Sequence, residues 1–370
     1  MKITGLRTTP LVVPYTQTYH VTQATRTEAA VVLVEVESDE GLVGIGESIA
    51  QPNSRLIIDS LQQCADLIIG RPPFAVDALV DAVYRRLISI PAAEMDRMAR
   101  LIVAGLDMAL WDLAGKAANE PVHALMGGAV HSHVQYFGFV EGDSPEAMAE
   151  DAAQFVEQGI EVIYLKLGRG EEMDIACTAA VRGAIGDKRL RLDANEAWDV
   201  LTAIRMIKRL KVYDPEFIEQ PVSCHNLDAM RQVKAAVDVP LAADQAIHSP
   251  EDTYAYCRAQ AADVIVLGSH EAGGYGQLRK AAAIAEAAGI RVCLHGVTET
   301  GITTVANHHA ALTIPNIDDG NQIMCRFLGE DIISAPDLTL EDGKLPVFDG
   351  PGFGFTLDRE AVSRAAERAS

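Results

Sequence analysis

The chain has 370 residues, of which 49% are hydrophobic, and it carries a formal net charge of -21. This length and apolar content are ample for a large core in one or two domains. The negative charge argues against nucleic acid or an anionic membrane as a partner, because both attract clusters of Lys and Arg. No apolar run is long enough to predict a transmembrane helix, and the N-terminus lacks the apolar stretch of a signal peptide. We therefore expect a cytoplasmic protein, with its six scattered cysteines as reduced structural thiols.

The first 128 residues change from a strand pattern to a helix pattern. Residues 28–37 and 42–47 predict two strands that are joined by a turn at 38–41. From residue 54 to 125 the apolar residues recur at helical spacing, and Met126-Gly-Gly128 ends this segment.

After about residue 130, short apolar strands alternate with amphipathic helices. Repeated βα units favour a parallel sheet, and about seven in succession favour a closed barrel. The predicted strands are 134–140, 162–167, 190–193, 217–219, 241–244, 264–267 and 292–294. From about Asp337 the chain returns to strand and turn character, and it ends in a polar helix.

Three consecutive predicted barrel strands end in acids, namely Asp193, Glu219 and Asp244. Their spacing is about one βα unit, so their carboxylates are expected side by side at the C-terminal rim of the barrel. Neighbouring carboxylates repel one another unless they share a cation, and hard oxygen ligands favour Mg²⁺, with Mn²⁺ as the alternative. The competing interpretation is that each acid only caps the helix that follows its strand.

Two further polar residues are placed at the same rim. Lys166 interrupts the apolar run VIYLKLG in the strand before the Asp193 strand, and it is a candidate general base. Its alternative is a lysine whose ammonium extends to solvent. His295 ends a strand on the far side of the predicted barrel, where it could give or take a proton, although a lone histidine is more often structural. Glu299, four residues on, is a weaker candidate for binding a polar group of a substrate.

These residues resemble the enolase superfamily, in its mandelate racemase/muconate lactonizing enzyme branch, over nearly the whole chain. The resemblance is carried by segments 105–116, 125–128, 191–195, 217–221, 243–244, 271–274 and 350–354. It implies an α/β fold, a (β/α)7β modified TIM barrel with an α+β capping domain. Residues 1–128 would form the cap, 129–335 the barrel, and 336–370 a segment that returns to the cap. It also implies Mg²⁺, a small carboxylate substrate and a homo-oligomer.

The implied shared step is removal of the proton α to a carboxylate, which gives an enolate stabilised by the metal. The resemblance makes Asp193, Glu219 and Asp244 the metal ligands, Lys166 the base and His295 a second acid/base group. The ligand set Asp-Glu-Asp is closer to the muconate lactonizing type than to mandelate racemase.

The chain departs from the family pattern in three places. Tyr164 replaces the first lysine of a Lys-x-Lys pair, and it could offer a neutral hydrogen bond to a substrate. Gly268 falls where a catalytic Lys or Asp is usual, so His295 would act without that Asp. Gln245 follows Asp244 where an acid is common. The absence of a second lysine, together with Ile317 in place of an ammonium-binding Asp, makes a dipeptide epimerase unexpected.

Substrate specificity is expected from the cap. The polar segment 15–26 resembles the mobile loop that closes over the site in this family, with His20 and Arg26 as candidate substrate contacts. The alternative is a loop that only faces solvent. Asn195, in the strand-end motif after Asp193, is a third candidate contact.

We therefore predict a Mg²⁺-dependent lyase or isomerase. Dehydration of a small hydroxy or sugar acid is slightly favoured, because one lysine and one histidine suit β-elimination. A cycloisomerase of the muconate or lactone type is the alternative, followed by a racemase or epimerase. A non-catalytic homologue that keeps the metal site is a further hypothesis. No strand-borne G-x-G-x-x-G or Walker motif supports nucleotide binding.

Overall fold

The protein is described by a computed structural model that covers residues 1–21, 24–89 and 95–369, without the side chains of residues 20, 21 and 24. The N-terminal part is a three-stranded antiparallel sheet followed by helices. Its elements are β1 (Ile3–Val21), β2 (Ala24–Ser38), β3 (Val43–Ile49), α1 (Ser54–Gln63), α2 (Val76–Ile88), α3 (Asp96–Ala118) and α4 (Val122–Leu125). The predicted strands, turn and helices of this part are confirmed.

The long helix α3 packs closely on β3. A Cβ built on Gly105 of α3 would lie 2.7 Å from the backbone of Glu47 and Ser48 in β3. Only glycine allows the helix to come this close to the strand. This contact explains why a glycine stands within an otherwise apolar helix.

The second part alternates strands and helices. Its elements are β4 (His133–Gln135), β5 (Gly138–Val140), α5 (Pro145–Glu157), β6 (Val162–Lys166), α6 (Glu171–Ile185), β7 (Arg189–Asp193), α7 (Val200–Leu210), β8 (Phe217–Glu219), α8 (Leu227–Ala236), β9 (Leu241–Ala243), α9 (Pro250–Ala259), β10 (Val264–Gly268), α10 (Ser269–Ala272), α11 (Tyr275–Ala287), β11 (Arg291–His295) and α12 (Gly301–Ala311). Strands β5 to β11 form one parallel sheet in chain order.

An irregular segment, 317–322, closes this sheet into a barrel. On one side, Asp318 N donates to Val292 O, and Gln322 N donates to Leu294 O, both in β11. On the other side, Phe137 N, next to β5, donates to Asn321 O. Seven βα units and this eighth, irregular strand give the predicted (β/α)7β architecture, which is confirmed.

The first predicted barrel strand, 134–140, is not continuous. Its first half, β4, pairs antiparallel with β13 (Lys344–Pro346) of the C-terminal segment, and only β5 joins the barrel sheet. The remaining elements are β12 (Ile333–Ala335), β14 (Thr356–Leu357) and α13 (Arg359–Arg368). Arg359 of α13 forms an ion pair with Glu35 of β2 at 2.9 Å, so the C-terminal helix contacts the cap. The domain bounds themselves stay a prediction.

Three buried acids of the N-terminal part join it to the rest of the chain. Glu47 accepts hydrogen bonds from Thr300 N at 3.0 Å and from Thr303 Oγ1 at 2.7 Å, at the start of α12. Asp107 accepts from Tyr275 N at 2.8 Å, at the start of α11. Carboxylates at helix N-termini satisfy the free N–H groups there and complement the helix dipole.

The third acid, Asp112 of α3, joins three segments. It accepts from Ile45 N in β3 at 2.8 Å and from Phe353 N in the C-terminal segment at 3.0 Å, and it pairs with Lys116 at 2.6 Å.

All six cysteines are free, and Cys64, Cys177 and Cys293 are buried. Within the described ranges, the helices are too short or too polar to cross a bilayer.

Candidate active site

The interior of the barrel determines which side chains reach its C-terminal mouth. Phe217, Ala242, Val264, Val266 and Cys293 form an apolar cluster that is contributed by four of the parallel strands. Side chains alternate along a strand, so residues two positions further on face the same interior, nearer the mouth. Those residues are Glu219, Asp244, Gly268 and His295.

The three predicted acids are buried at this mouth. Asp193, Glu219 and Asp244 are 0%, 2% and 5% exposed. Asp193 is the register partner of Glu219, and Asp244 directly follows β9, the next strand. Burial and the charges of Asp193 and Asp244 raise the pKa of Glu219 well above its usual value. The sheet therefore holds three acids in adjacent positions where their negative charges oppose one another.

Lys166 lies at one end of this row, in register with Asp193. Its Nζ donates to Asp193 Oδ2 at 2.5 Å and to Asn195 Oδ1 at 3.1 Å. Burial would lower the pKa of Lys166, but Asp193, Tyr19 and Glu219 outweigh burial and raise it. Lys166 is thus a buried, paired ammonium, and the alternative of a lysine extending to solvent is wrong.

Asn195 also donates hydrogen bonds to Asp193. Its N donates to Asp193 Oδ1 at 2.7 Å, and its Nδ2 donates to Asp193 Oδ2 at 2.8 Å. Its φ is +46°, a left-handed conformation that Asn tolerates better than most residues. Asn195 thereby connects the lysine to the acid, and its predicted contact with a substrate stays untested.

Tyr164 points its hydroxyl at two of the acids. The Oη atom lies 2.6 Å from Asp193 Oδ2 and 3.1 Å from Glu219 Oε1. Its ring stacks on Phe137 with 4.5 Å between centroids. Burial and the adjacent acids raise the pKa of Tyr164 well above its usual value, so it is a neutral donor. The hydroxyl expected to meet a substrate is bonded to the acids in this structure.

His295 lies at the other end of the row, between two carboxylates. Its Nδ1 is 3.6 Å from Asp244 Oδ1 and 3.5 Å from Glu271 Oε1. Burial disfavours the imidazolium, but Asp244 and Glu271 outweigh burial and raise the pKa of His295 to about 10. Position 268 is glycine, so the usual Asp is absent, but the carboxylate of Glu271 lies beside His295.

The row of acids has the chemistry of a Mg²⁺ site but not yet its geometry. The oxygen donors are hard, buried and mutually repelling, which suits a small divalent cation. Asp193 is bonded to Lys166 and Asn195, while Asp244 accepts from the side chain of Gln245. Across the described ranges, no three acidic, histidine or cysteine side chains already converge on a common point as metal ligands. The fit to the ion therefore rests on the chemistry of the donor set, three buried carboxylates on adjacent strands.

Aromatic rings surround the lysine end of the row. Tyr19 from β1 lies 5.3 Å from Phe139 and 5.4 Å from Phe327 between ring centroids. The Nζ of Lys166 is 5.9 Å from the Phe139 centroid and 5.6 Å from that of Tyr164. The cap thus contributes an aromatic residue beside the candidate base.

The remaining predicted contacts lie around this centre. Glu299 is buried, its Oε2 accepts from Val297 N at 3.2 Å, and its Oε1 has no hydrogen-bond partner among the described residues. Burial and Glu47 raise the pKa of Glu299 well above its usual value. Arg26 lines a cavity of about 250 Å³ together with Thr298. The side chain of His20 lies outside the described part of the chain.

A larger cavity of about 790 Å³ lies elsewhere, between α5 and the C-terminal segment, and includes Phe155, Arg326 and Leu340. None of the paired acids or bases described above lines it. The chemistry of the barrel mouth, rather than cavity size, therefore locates the candidate active site.

The sequence does not indicate two neighbours of the site. Glu271 stands out only as part of the motif at 271–274, and Tyr19 only as part of the polar segment 15–26. The glycine at 268 is the one indication of Glu271 in the sequence, because the missing side chain leaves room beside His295 for a carboxylate from elsewhere. Nothing in the spacing of Tyr19 indicated that its ring would reach the barrel.

The barrel and its rim of strand-end acids define an enzyme of the enolase superfamily. Residues 5–127 match the N-terminal domain of the mandelate racemase/muconate lactonizing enzyme family, and residues 147–361 match an enolase C-terminal domain-like model. The chain belongs to the mandelate racemase/muconate lactonizing enzyme family, as the sequence motifs predicted.

Its relatives include enzymes of several activities. The chain is 29% identical over 376 residues to muconate cycloisomerase 1 of Rhodococcus opacus, with 98% of each chain covered. It is 30% identical over 321 residues to a hydrophobic dipeptide epimerase of Enterococcus faecalis, covering 84% of this chain and 88% of the relative. Other relatives are named as racemases and dehydratases.

Among solved structures, the muconate lactonizing enzyme of Pseudomonas fluorescens complexed with muconolactone superposes with a TM-score of 0.90. That chain is 27% identical, and the match covers 98% of this chain and 99% of that one. Together these likenesses make the protein an enolase-superfamily enzyme of the lyase or isomerase type.

Proposed function

We propose that this protein removes the proton α to a carboxylate of a small-molecule acid, with Lys166 as the base. The observation that carries the proposal is the arrangement of the barrel mouth. Lys166 and His295 lie at opposite ends of a row of three buried acids on consecutive strands. A base on one side of a bound substrate and an acid on the other is what proton abstraction followed by reprotonation or elimination requires.

Asp193, Glu219 and Asp244 would hold Mg²⁺, or Mn²⁺ in its place. When bound, the cation supplies charge neutralisation for the carboxylate whose α-proton is removed. Lys166 keeps its proton while Asp193 accepts from Nζ at 2.5 Å. For Lys166 to act as the base, Asp193 would have to be held as a metal ligand instead of as its ion-pair partner.

Dehydration remains the preferred outcome. After Lys166 takes the α-proton, His295 is placed to protonate a departing β-hydroxyl, and its raised pKa means that it starts with a proton to give. The substrate would then be a small hydroxy or sugar acid. The single lysine at the mouth, with glycine at 268, favours this over a reaction that uses two lysines.

A second candidate is cycloisomerisation or epimerisation. The observation that favours it is the group of rings from Tyr19, Phe139 and Phe327 beside Lys166. Apolar rings beside the base suit an acid with an apolar portion better than a fully hydroxylated sugar acid. The likeness to a muconate cycloisomerase supports the same outcome.

Proton NMR in D₂O tests the proposal. The protein with Mg²⁺ is incubated with sugar acids, muconolactone-type acids and acylated amino acids, beside Lys166→Ala. We expect deuterium at the α-carbon, or a 2-keto acid from loss of water, with the rate reduced at least about 10³-fold in the variant. Lys208→Ala, an exposed lysine on α7, is the matched control. Equal exchange by Lys166→Ala and wild type would reject Lys166 as the base.

A further inference from the structure

The end of strand β10 lacks a side chain beside the candidate acid. Gly268 ends this strand and is the register partner of His295 in β11. Two residues earlier, Val266 packs inside the barrel with Cys293, so position 268 faces the same interior as the imidazole. A side chain at 268 would therefore lie against His295.

Glu271 fills the space that this glycine leaves. It belongs to the short helix α10, which turns away from the strand, yet its side chain folds back over the strand end. A Cβ built on Gly268 would overlap Glu271 Oε2 and lie 2.7 Å from Glu271 Cδ. The Glu271 carboxylate thus occupies the space that a side chain at 268 would take. The φ of -104° at 268 is one that any residue could adopt, so the backbone conformation does not call for glycine.

The carboxylate of Glu271 is directed at one nitrogen of the imidazole. Its Oε1 lies 3.5 Å from His295 Nδ1, and its side chain is 18% exposed. Burial alone would raise the pKa of Glu271, but the charge of His295 outweighs burial and lowers it to about 2. Glu271 is therefore an ionised acid that faces Nδ1 from within the barrel mouth.

We propose that Glu271 is the positioning residue for His295, supplying from the helix after β10 the carboxylate that the strand itself lacks. A carboxylate beside Nδ1 fixes the ring plane and favours a proton on Nδ1, which leaves Nε2 as the nitrogen that passes a proton to a substrate. Asp244 also approaches Nδ1, at 3.6 Å, but it is one of the proposed metal ligands. The expected effect of Glu271 on turnover rests on the proposed function, whereas its effect on the orientation of the His295 ring does not.

The first test separates the two ends of the site kinetically. In Glu271→Gln, we expect kcat of the complete reaction to fall about 10²-fold with little change in KM, because His295 transfers its proton less well. Exchange of the α-proton, which depends on Lys166, should fall less than about threefold. Glu286→Gln, an exposed glutamate on α11, is the matched control. Equal loss of both activities, or loss of neither, would overturn the proposal.

A relocation variant tests whether the carboxylate or the helix matters. Glu271→Ala should lose activity. The double variant Gly268→Asp/Glu271→Ala should be at least about tenfold more active than Glu271→Ala, because a carboxylate on the strand then occupies the vacated space. The single variant Gly268→Asp should be less active than wild type, because its side chain and that of Glu271 would compete for the same space beside His295. No recovery in the double variant, if it folds with wild-type circular dichroism, contradicts the proposal.

A measurement without turnover keeps this inference distinct from the proposed function. Long-range ¹H–¹⁵N spectra of histidine-labelled Mg²⁺-loaded protein identify the His295 signal by its loss in His295→Asn. We expect Nδ1 to be protonated in wild type, and the Nε2–H tautomer to appear in Glu271→Gln at the same pH. An unchanged spectrum rejects the positioning role. A changed spectrum together with no α-proton exchange by wild type would reject only the proposed function.

Discussion

At the scale of single residues, the site is a set of buried acids that destabilise the folded protein unless a cation or hydrogen-bond donors pair with them. Glu219 illustrates this, because burial and two neighbouring aspartates raise its pKa well above the usual value. Tyr164 and Lys166 offset only part of the repulsion, through bonds that are shared with Asp193. A site of this kind favours function over the stability of the metal-free protein.

Replacing Glu219 by glutamine should therefore raise the stability of the metal-free protein and reduce the stabilisation that Mg²⁺ provides. At pH 8 we expect Glu219→Gln to raise the melting temperature of the metal-free protein, because a carboxyl group whose pKa is raised by folding destabilises the folded state above its ordinary pKa. For wild type, Mg²⁺ at 100 times its Kd should add about 2.7 kcal/mol to the free energy of unfolding, and the variant should lose most of this gain. Thermal denaturation with EDTA and with Mg²⁺ measures both effects. A variant that gains as much from Mg²⁺ as wild type would remove Glu219 from the ligand set.

Glu47 gives a prediction about pH. Burial raises its pKa from 4.5 to about 7, although Thr300 and Thr303 act in the opposite direction. The folded state then binds more protons than the unfolded state between these values, so the free energy of unfolding falls as pH rises through this window and levels off above pH 7. The shift corresponds to a loss of about 3 kcal/mol.

Urea unfolding at several pH values between 4.5 and 8 checks this prediction. Glu47→Gln cannot titrate, so its stability relative to wild type should rise by about 3 kcal/mol across the window. The comparison with Glu286→Gln removes effects that are common to any loss of a glutamate. A difference between Glu47→Gln and wild type that does not vary with pH would contradict the raised pKa.

At the scale of secondary-structure elements, helix α3 organises the cap and its attachment to the C-terminal segment. Its Asp112 accepts from backbone N–H groups of two other segments, at Ile45 and Phe353. Its Gly105 allows the helix to lie against the backbone of β3. One helix thereby determines the position of both the sheet that carries Glu47 and the C-terminal chain.

Removing the Asp112 carboxylate should be costly. In Asp112→Ala, two buried N–H groups lose their acceptor and Lys116 loses its ion-pair partner, so we expect a loss of about 3–5 kcal/mol in the free energy of unfolding. The control is Asp59→Ala on α1, which breaks only an exposed pair with Arg55 and should cost about 0–1 kcal/mol. Chemical denaturation of both variants measures the difference. Similar losses would show that the Asp112 contacts contribute no more than a surface ion pair.

At the scale of the whole molecule, the cap and the barrel are joined by buried polar contacts rather than by a flexible linker. Glu47 and Asp107 from the cap each meet the first turn of a barrel helix. Because these contacts are buried, separation of the two parts would leave charged groups and helix ends without partners. We infer that the two parts unfold together.

The two tryptophans of the chain test this inference. Trp111 lies in α3 of the cap, and Trp198 lies in the loop after β7 of the barrel. In Trp198→Phe and Trp111→Phe, the remaining tryptophan should report the same urea midpoint, within about 0.3 M of the circular dichroism midpoint of that variant. Separate midpoints for fluorescence and circular dichroism would show that cap and barrel unfold independently. The predicted homo-oligomer stays a prediction, which sedimentation of the wild-type protein can check.

Much of this architecture is determined by the sequence alone, for a local reason. Strands that alternate with helices place successive strand ends at one rim, so Asp193, Glu219 and Asp244 are expected together from their spacing. The same rule places Lys166 at one end of the row and His295 at the other. These residues are separated by whole βα units, and a regular period is sufficient to locate them.

Tertiary structure decided the features that depend on side-chain direction and on contacts between distant segments. The closing strand 317–322 has no regular pattern, and it is defined only by bonds to β11 and to the residues before β5. Tyr164 turns its hydroxyl toward two acids, and Glu271 folds back into the space above Gly268. The neighbours of each side chain come from strands far apart in the sequence, and periodicity carries no information about them. The period therefore determined which residues meet at the barrel mouth, and packing decided how they pair there.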